Sequence, residues 1–237
     1  MITRQKLMLI FKKLLKEYGE QGWWPIIKDK SSHYNIKFKL KEKTLMEKFE
    51  ISIGAILTQN TAWKNVEKAL INLKQNNLLN PQGIIKVDNK KLSLLIRPAG
   101  YFNIKAKKLK EFTKFFLSHK EEFENNTISR EELLNVWGIG NETADSILLY
   151  ALNKPFFVVD AYTKRLFYRL GFFHSEKIKY EEAQDFFHKN LDMDYKLFNE
   201  YHALIVEHAK QHCKKKPDCE GCVLSELCQR YRNNKRV

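Results

Sequence analysis

The sequence predicts an all-α fold. Apolar residues recur with a period near 3.6 along most of the chain, and only 9 Gly and 5 Pro interrupt 237 residues. Hydrophobic residues make up 43%, including 16 Phe, 10 Tyr and 4 Trp, which supports a packed core and excludes disorder. A chain of this length forms one large domain or two small ones.

Each element follows from its own pattern. Residues 1–20 read as one amphipathic helix, with Leu7, Phe11, Leu14, Leu15 and Tyr18 on one face. Residues 21–48, which contain Trp23-Trp24-Pro25, read as irregular. Residues 49–58 are apolar almost throughout (Phe49, Ile51, Ile53, Ile56, Leu57) and predict a buried helix. Asn60 or Thr61 is the expected cap of the next helix, whose apolar face carries Trp63, Val66, Leu70 and Leu73. A short helix over 91–97 ends near Pro98. Gly100 then turns the chain into a very basic helix over 103–117, with Asn103 as its expected cap. Ser129 and Glu132 have capping-box spacing and open a helix carrying Leu133, Leu134 and Val136. A further helix places Ala144, Ile147, Leu148 and Ala151 on one face. Phe156 to Val159 is too short and isolated to force a sheet. Helices follow over about 161–171, 180–190 and 195–212.

The chain carries 42 Lys+Arg against 28 Asp+Glu, a net charge of +14. A polyanion is the natural partner of such a surface, because lysines displace counterions from a phosphate backbone; the alternative is lysine that serves only solubility. No apolar run is long enough to span a bilayer, and the N-terminal segment is amphipathic rather than signal-like. A soluble, cytoplasmic protein with no membrane partner is expected, nucleoid-associated in a prokaryotic cell.

All four cysteines, Cys213, Cys219, Cys222 and Cys228, fall in one window with the spacing C-x5-C-x2-C-x5-C. This grouping suits one metal centre better than disulfides. A zinc ion on four thiolates and a [4Fe–4S] cluster on the same four both fit; spacing alone slightly favours zinc, the commoner site, whereas the wide x5 loops fit a cubane cluster better than paired C-x2-C knuckles. Lys214, Lys215 and Lys216 lie inside the first loop, either as a solvated run or as a basic finger held toward nucleic acid.

Residues 133–165 are the most informative stretch. Gly138-Ile139-Gly140 makes a tight turn between two helical patterns, baring backbone N–H groups beside a helix start. Such a turn is either a plain corner or a grip for a phosphate. Asp160 follows an apolar run and precedes a helix, so it is either an N-cap or a carboxylate placed for chemistry.

These residues resemble the endonuclease III superfamily of helix-hairpin-helix DNA glycosylases. The resemblance rests on V-W-G-I-G-N-E-T-A-D (136–145), V-V-D-A-Y-T-K-R (158–165) and the cysteine window. Two further segments carry it: Ala55-Ile56-Leu57-Thr58-Gln59-Asn60 and Gly100-Tyr101-Phe102-Asn103-Ile104-Lys105-Ala106. It covers about residues 45–230. The family fold implies two helical domains with DNA between them: a six-helix barrel with the hairpin over 46–153, and a discontinuous domain of 1–45 and 154–237 that carries an iron–sulfur cluster loop. Asp160 is then expected in the cleft.

The resemblance implies a monomeric enzyme that acts on double-stranded DNA containing a damaged base, flips that base and breaks its N-glycosidic bond. It makes Asp160 the catalytic residue. Gln59 and Tyr101 become wedges that fill the gap. Gly138, Gly140, Lys105, Lys164 and Lys215 join them as DNA contacts, and the four cysteines become cluster ligands. Glu142 stands where bifunctional members carry the lysine that forms a Schiff base, so hydrolysis without strand cleavage is expected. Trp23 and Trp24 suggest a pocket for an alkylated purine, as in the 3-methyladenine glycosylase subgroup, because a cationic base is attracted to aromatic faces. The first cysteine loop is one residue shorter than the family's usual C-x6-C. Two alternatives remain: a bifunctional glycosylase/AP lyase for oxidised pyrimidines, and a non-catalytic damaged-DNA-binding module.

Overall fold

A computed structural model describes residues 2–37 and 41–234. It is mostly helical, with two short strands among the described residues. The chain divides into two compact units: residues up to Trp23 together with those from Pro155 onward, and Trp24–Lys154.

Helix α1 (Ile2–Tyr18) belongs to the first unit. The second unit opens with an antiparallel hairpin, β1 (Ile26–Lys28) and β2 (Ser31–His33), which turns through Asp29 at φ 54°. Sequence pattern reads this stretch as irregular, because three-residue strands are too short to show alternation. The hairpin is pinned by side chains that lie far along the chain. Ile27 N–H donates to Glu50, and Ser32 N–H donates to Glu67 at 2.8 Å. These bonds tie the hairpin to the helices that follow, within the unit Trp24–Lys154.

Helix α2 (Leu45–Leu57) starts earlier than its apolar run, because Thr44 and Glu47 form a capping box. Helix α3 (Trp63–Gln75) is not capped by Asn60 or Thr61: Ala62 holds the N-cap position and Thr61 accepts from Asn65 Nδ2 instead. Helices α4 (Pro81–Lys86) and α5 (Asn89–Leu95) lead through a 3-10 turn (Arg97–Ala99) to α6 (Phe102–Ser118). Helix α7 (Lys120–Glu124) follows, then α8 (Arg130–Leu134) with the expected Ser129–Glu132 capping box. Helix α9 (Asn141–Ser146) runs on into a π turn (Ile147–Ala151) that packs along α2. Phe49, Phe112, Phe116 and Phe123 interlock at the core, with ring centroids 4.9 Å apart for Phe49–Phe116 and 4.5 Å for Phe116–Phe123.

The rest of the first unit is α10 (Ala161–Leu170), α11 (Tyr180–Asn190), α12 (Tyr195–Gln211) and α13 (Gln229–Asn234). Helices α1 and α10 both pack on α12. Phe157 stacks on Phe187 at 3.8 Å, and the Tyr201 hydroxyl donates to Leu7 O at 2.8 Å, which ties the two distant chain segments together. No helix of the described residues is long and apolar enough to cross a membrane.

One buried cation organises the second unit. Lys105 is 2% exposed, and its ammonium donates to Leu57 O and to Ala99 O, each at 2.8 Å. It joins the C-terminal carbonyl of α2 to the turn before α6. Burial, with repulsion from Lys108 added, lowers its pKa to about 8. Lys105→Met strands two carbonyls and is expected to cost about 2 kcal/mol or more. A lysine that titrates near 8 when folded and 10.5 when unfolded binds fewer protons in the fold across that window. Stability therefore rises with pH there. The gap between wild type and Lys105→Met, read by denaturant titration, is predicted to widen from pH 8 to pH 10; a constant gap contradicts this assignment.

Candidate nucleic-acid interface and active site

The hairpin lies between α8 and α9. Gly138 sits at φ 88°, a left-handed conformation that a side chain would strain. A Cβ there would also lie 2.6 Å from Lys108 Cγ, because the Lys108 chain crosses directly over the turn. Gly140 is extended, and nothing lies within 4 Å of where its Cβ would be, so this side of the turn is open to close approach. Below the turn, Arg130 locks the two helices. Its Nε donates to Asp145 Oδ1 at 2.7 Å, and its Nη2 donates to Asp145 Oδ2 at 3.2 Å and to Asn141 Oδ1 at 2.9 Å. Trp137 is exposed at the tip, with Lys107 Nζ 4.2 Å from its ring centroid. Glu142 is exposed on the first turn of α9.

Gln59 does not project freely. Its Nε2 donates to Gly138 O at 3.1 Å and to Thr143 Oγ1 at 3.0 Å, while Lys108 Nζ donates to its Oε1. Tyr101 does project: it is 71% exposed, at φ 46°, and holds the N-cap position expected of Asn103. Lys105 is corrected from a DNA contact to an internal staple, because its ammonium is buried on two carbonyls.

In the first unit, Asp160 caps α10. Thr163 N and Thr163 Oγ1 donate to its Oδ1 at 2.7 and 2.9 Å. Its other oxygen, Oδ2, faces His202 Nε2 at 3.6 Å. Burial pushes this carboxyl upward, but the hydrogen bond and charge of His202 and the Thr163 donors outweigh it. The group is held below its ordinary value and ionised at neutral pH. The two readings of Asp160 are therefore compatible, since one oxygen caps and the other does not. Trp23 is half-buried, edge-on to His202 at 5.9 Å, with Lys210 Nζ 5.7 Å from its ring centroid.

Trp24 departs from the expected pocket pair. It is 5% exposed, packed against Trp63 at 5.3 Å and Tyr150 at 5.1 Å in the core of the second unit. Lys164 is half-buried and donates to Ile178 O at 2.8 Å, so it is committed to a loop carbonyl rather than open to phosphate. Lys215 is exposed, and Arg169 Nη2 holds its carbonyl at 2.9 Å.

Cys213, Cys219, Cys222 and Cys228 line one cavity of about 40 Å³. Arg169 Nη1 donates to Cys213 Sγ at 3.3 Å, Arg165 Nε donates to Cys213 O at 2.7 Å, and His208 Nε2 lies 3.7 Å from Cys222 Sγ. Tyr18 OH bonds His208 Nδ1 at 2.9 Å. Burial raises the Cys222 thiol to about 11, against the Leu224 N–H. Among the described residues, no three His, Cys, Asp or Glu side chains are placed to hold a metal ion.

Sequence reasoning missed His202, Lys108, Thr143 and the buried Arg165–Arg169 pair. The arginines had a signal, two cations four apart on an amphipathic helix; the others meet their partners only through the fold.

The Arg130–Asp145 lock yields a prediction. Asp145→Ala leaves a half-buried guanidinium without its carboxylate and is expected to cost about 3 kcal/mol. Amide exchange at Gly138–Gly140 should quicken beyond the global loss of stability; equal acceleration everywhere would show that the pair does not hold the turn.

Comparison with known proteins identifies the family. Residues 53–192 match the HhH-GPD superfamily of base excision DNA repair proteins. The chain is 48% identical over 226 residues to a protein of Methanocaldococcus jannaschii named for DNA repair glycosylase function, across 92% of this chain and 94% of the relative. It is 31% identical to an endonuclease III of Thermotoga maritima, across 78% and 84%. Among solved structures, H. pylori 3-methyladenine DNA glycosylase bound to 1,N6-ethenoadenine superposes with a TM-score of 0.67 at 31% identity, across 86% and 97%. A trapped endonuclease III–DNA covalent intermediate superposes with a TM-score of 0.77 at 20% identity, across the full length of both chains, and shares the fold. The chain belongs to the HhH-GPD superfamily of base excision DNA repair proteins.

Proposed function

We propose that this protein is a monofunctional DNA glycosylase that hydrolyses the N-glycosidic bond of an alkylated purine in duplex DNA and leaves an abasic site. The observation that carries this reading is the Asp160 carboxylate, ionised and only partly exposed, with one oxygen fixed by Thr163 and the other facing His202. Departure of the base builds positive charge on the sugar, and a preorganised carboxylate lowers that barrier in a site of low dielectric. Water then captures the sugar carbon. Glu142 supports hydrolysis over lyase chemistry, since a carboxylate cannot form an imine where bifunctional relatives place a lysine.

DNA contact is assigned to the hairpin amides at Gly138 and Gly140, with Gln59 and Tyr101 entering the duplex where the damaged base leaves it. Trp23 is the aromatic wall assigned to the base; its partly exposed ring beside His202 and the likeness to a 3-methyladenine glycosylase support an alkylated purine. The protein acts as a monomer in this reading.

Cys213, Cys219, Cys222 and Cys228 are the residues that would hold a [4Fe–4S] cluster. They share a cavity of about 40 Å³. Their wide x5 spacings suit a cubane cluster better than the paired C-x2-C knuckles of a zinc site. When bound, the cluster supplies a structural tie across residues 213–228. Arg165 and Arg169 fix that loop's carbonyls independently, and with them the exposed Lys215. Purified protein should be brown and contain iron; a colourless zinc protein overturns this assignment.

Asp160→Asn keeps the cap shape and removes the charge. Base release from a methylated-purine duplex is predicted to fall by at least about a hundredfold, with duplex affinity retained. Full activity in that variant would refute the role. Borohydride should trap no covalent protein–DNA species with the wild-type enzyme; a trapped species points instead to the bifunctional reading.

A further inference from the structure

Gln59, Lys108 and the hairpin form one network within Trp24–Lys154. The Gln59 amide donates to Gly138 O at 3.1 Å and to Thr143 Oγ1 at 3.0 Å, and its oxygen accepts from Lys108 Nζ. The Lys108 stem passes so close over Gly138 that only glycine fits beneath it. Among the described residues, the Gln59 oxygen is the acceptor this half-buried ammonium has. A cation with donors to spare therefore lies across the turn whose far side, at Gly140, is open. Burial lowers the Lys108 pKa, consistent with an ammonium short of partners.

A phosphate oxygen is a stronger acceptor for an ammonium than a neutral amide oxygen, because it sets a full negative charge against the positive one at hydrogen-bond distance. We propose that Lys108 is a positioning residue that holds Gln59 against the hairpin in the DNA-free protein, and that a backbone phosphate arriving at Gly138–Gly140 takes over its ammonium and releases Gln59 toward the duplex. This rests on the reading of the protein as a DNA glycosylase with Gln59 as a wedge. It joins two events otherwise separate, gripping the backbone and probing the stack. Two neutral bonds then remain, from the Gln59 nitrogen to Gly138 O and to Thr143 Oγ1, and these give way more easily than all three as Gln59 enters the duplex.

Lys108→Met keeps the aliphatic stem over Gly138 and removes the ammonium; Lys108→Arg restores a charge. The experiment uses full-length protein and a duplex with a tetrahydrofuran abasic analogue opposite 2-aminopurine. Affinity is measured against salt, and fluorescence after rapid mixing reports wedge entry. For Lys108→Met the salt slope is expected to fall by about one and binding to weaken, while the fluorescence step becomes faster because Gln59 is held by two bonds instead of three. Lys108→Arg should return the slope toward wild type. An unchanged slope, or a fluorescence step that is slower or unaltered, overturns the proposal. Loss of the fluorescence step in Gln59→Ala supports the wedge assignment on which it rests; its survival there overturns both. Base release by wild type on alkylated duplex is scored separately, so failure of the glycosylase reading is distinguishable from failure of the coupling.

Discussion

A single buried ammonium sets the geometry of the surface assigned to DNA. Lys105 donates to Leu57 O and Ala99 O. Gln59 lies two residues beyond the first carbonyl and Tyr101 two beyond the second. The two segments are far apart in sequence, yet one charge fixes both from beneath. The arrangement is costly, since burial disfavours the charged form, and lysine tolerates this because its neutral amine still donates. The same logic recurs at Lys48, whose ammonium donates to Phe123 O and Glu124 O. Lysines in this chain are therefore structural as well as electrostatic, and the net charge of +14 overstates what faces a polyanion.

Asp160 illustrates how a cap and the carboxylate proposed for chemistry can share one side chain. Thr163 occupies one oxygen through both its backbone and its hydroxyl, which fixes the carboxylate plane. The other oxygen is left to His202. Removing the charge while keeping the shape separates these two roles, because the cap needs only an acceptor whereas a cationic sugar needs an anion.

Local signals were legible in the sequence and tertiary ones were not. The Ser129–Glu132 box and the Asp160 cap follow from side chains meeting the backbone three residues on, so spacing alone reveals them. The glycine turn and the cysteine window are similarly short-range. Lys105 and Lys164 looked like surface cations because a lysine's pattern does not show whether its amine ends in water or on a carbonyl. Trp24 looked like the twin of Trp23, but its ring turns to Trp63 and Tyr150, which only the fold brings near. Tyr101 rather than Asn103 holds the cap position because the helix begins at Phe102, one residue after the turn, and Tyr101 sits there at φ 46° without a side-chain cap bond. His202 has no local link to Asp160 at all.

The most direct test of the account is a gel assay on a duplex with one alkylated purine, scored with and without alkali. Strand cleavage is expected only after alkali, the mark of an abasic site left by hydrolysis. Cleavage without alkali, or none under either condition, would contradict it.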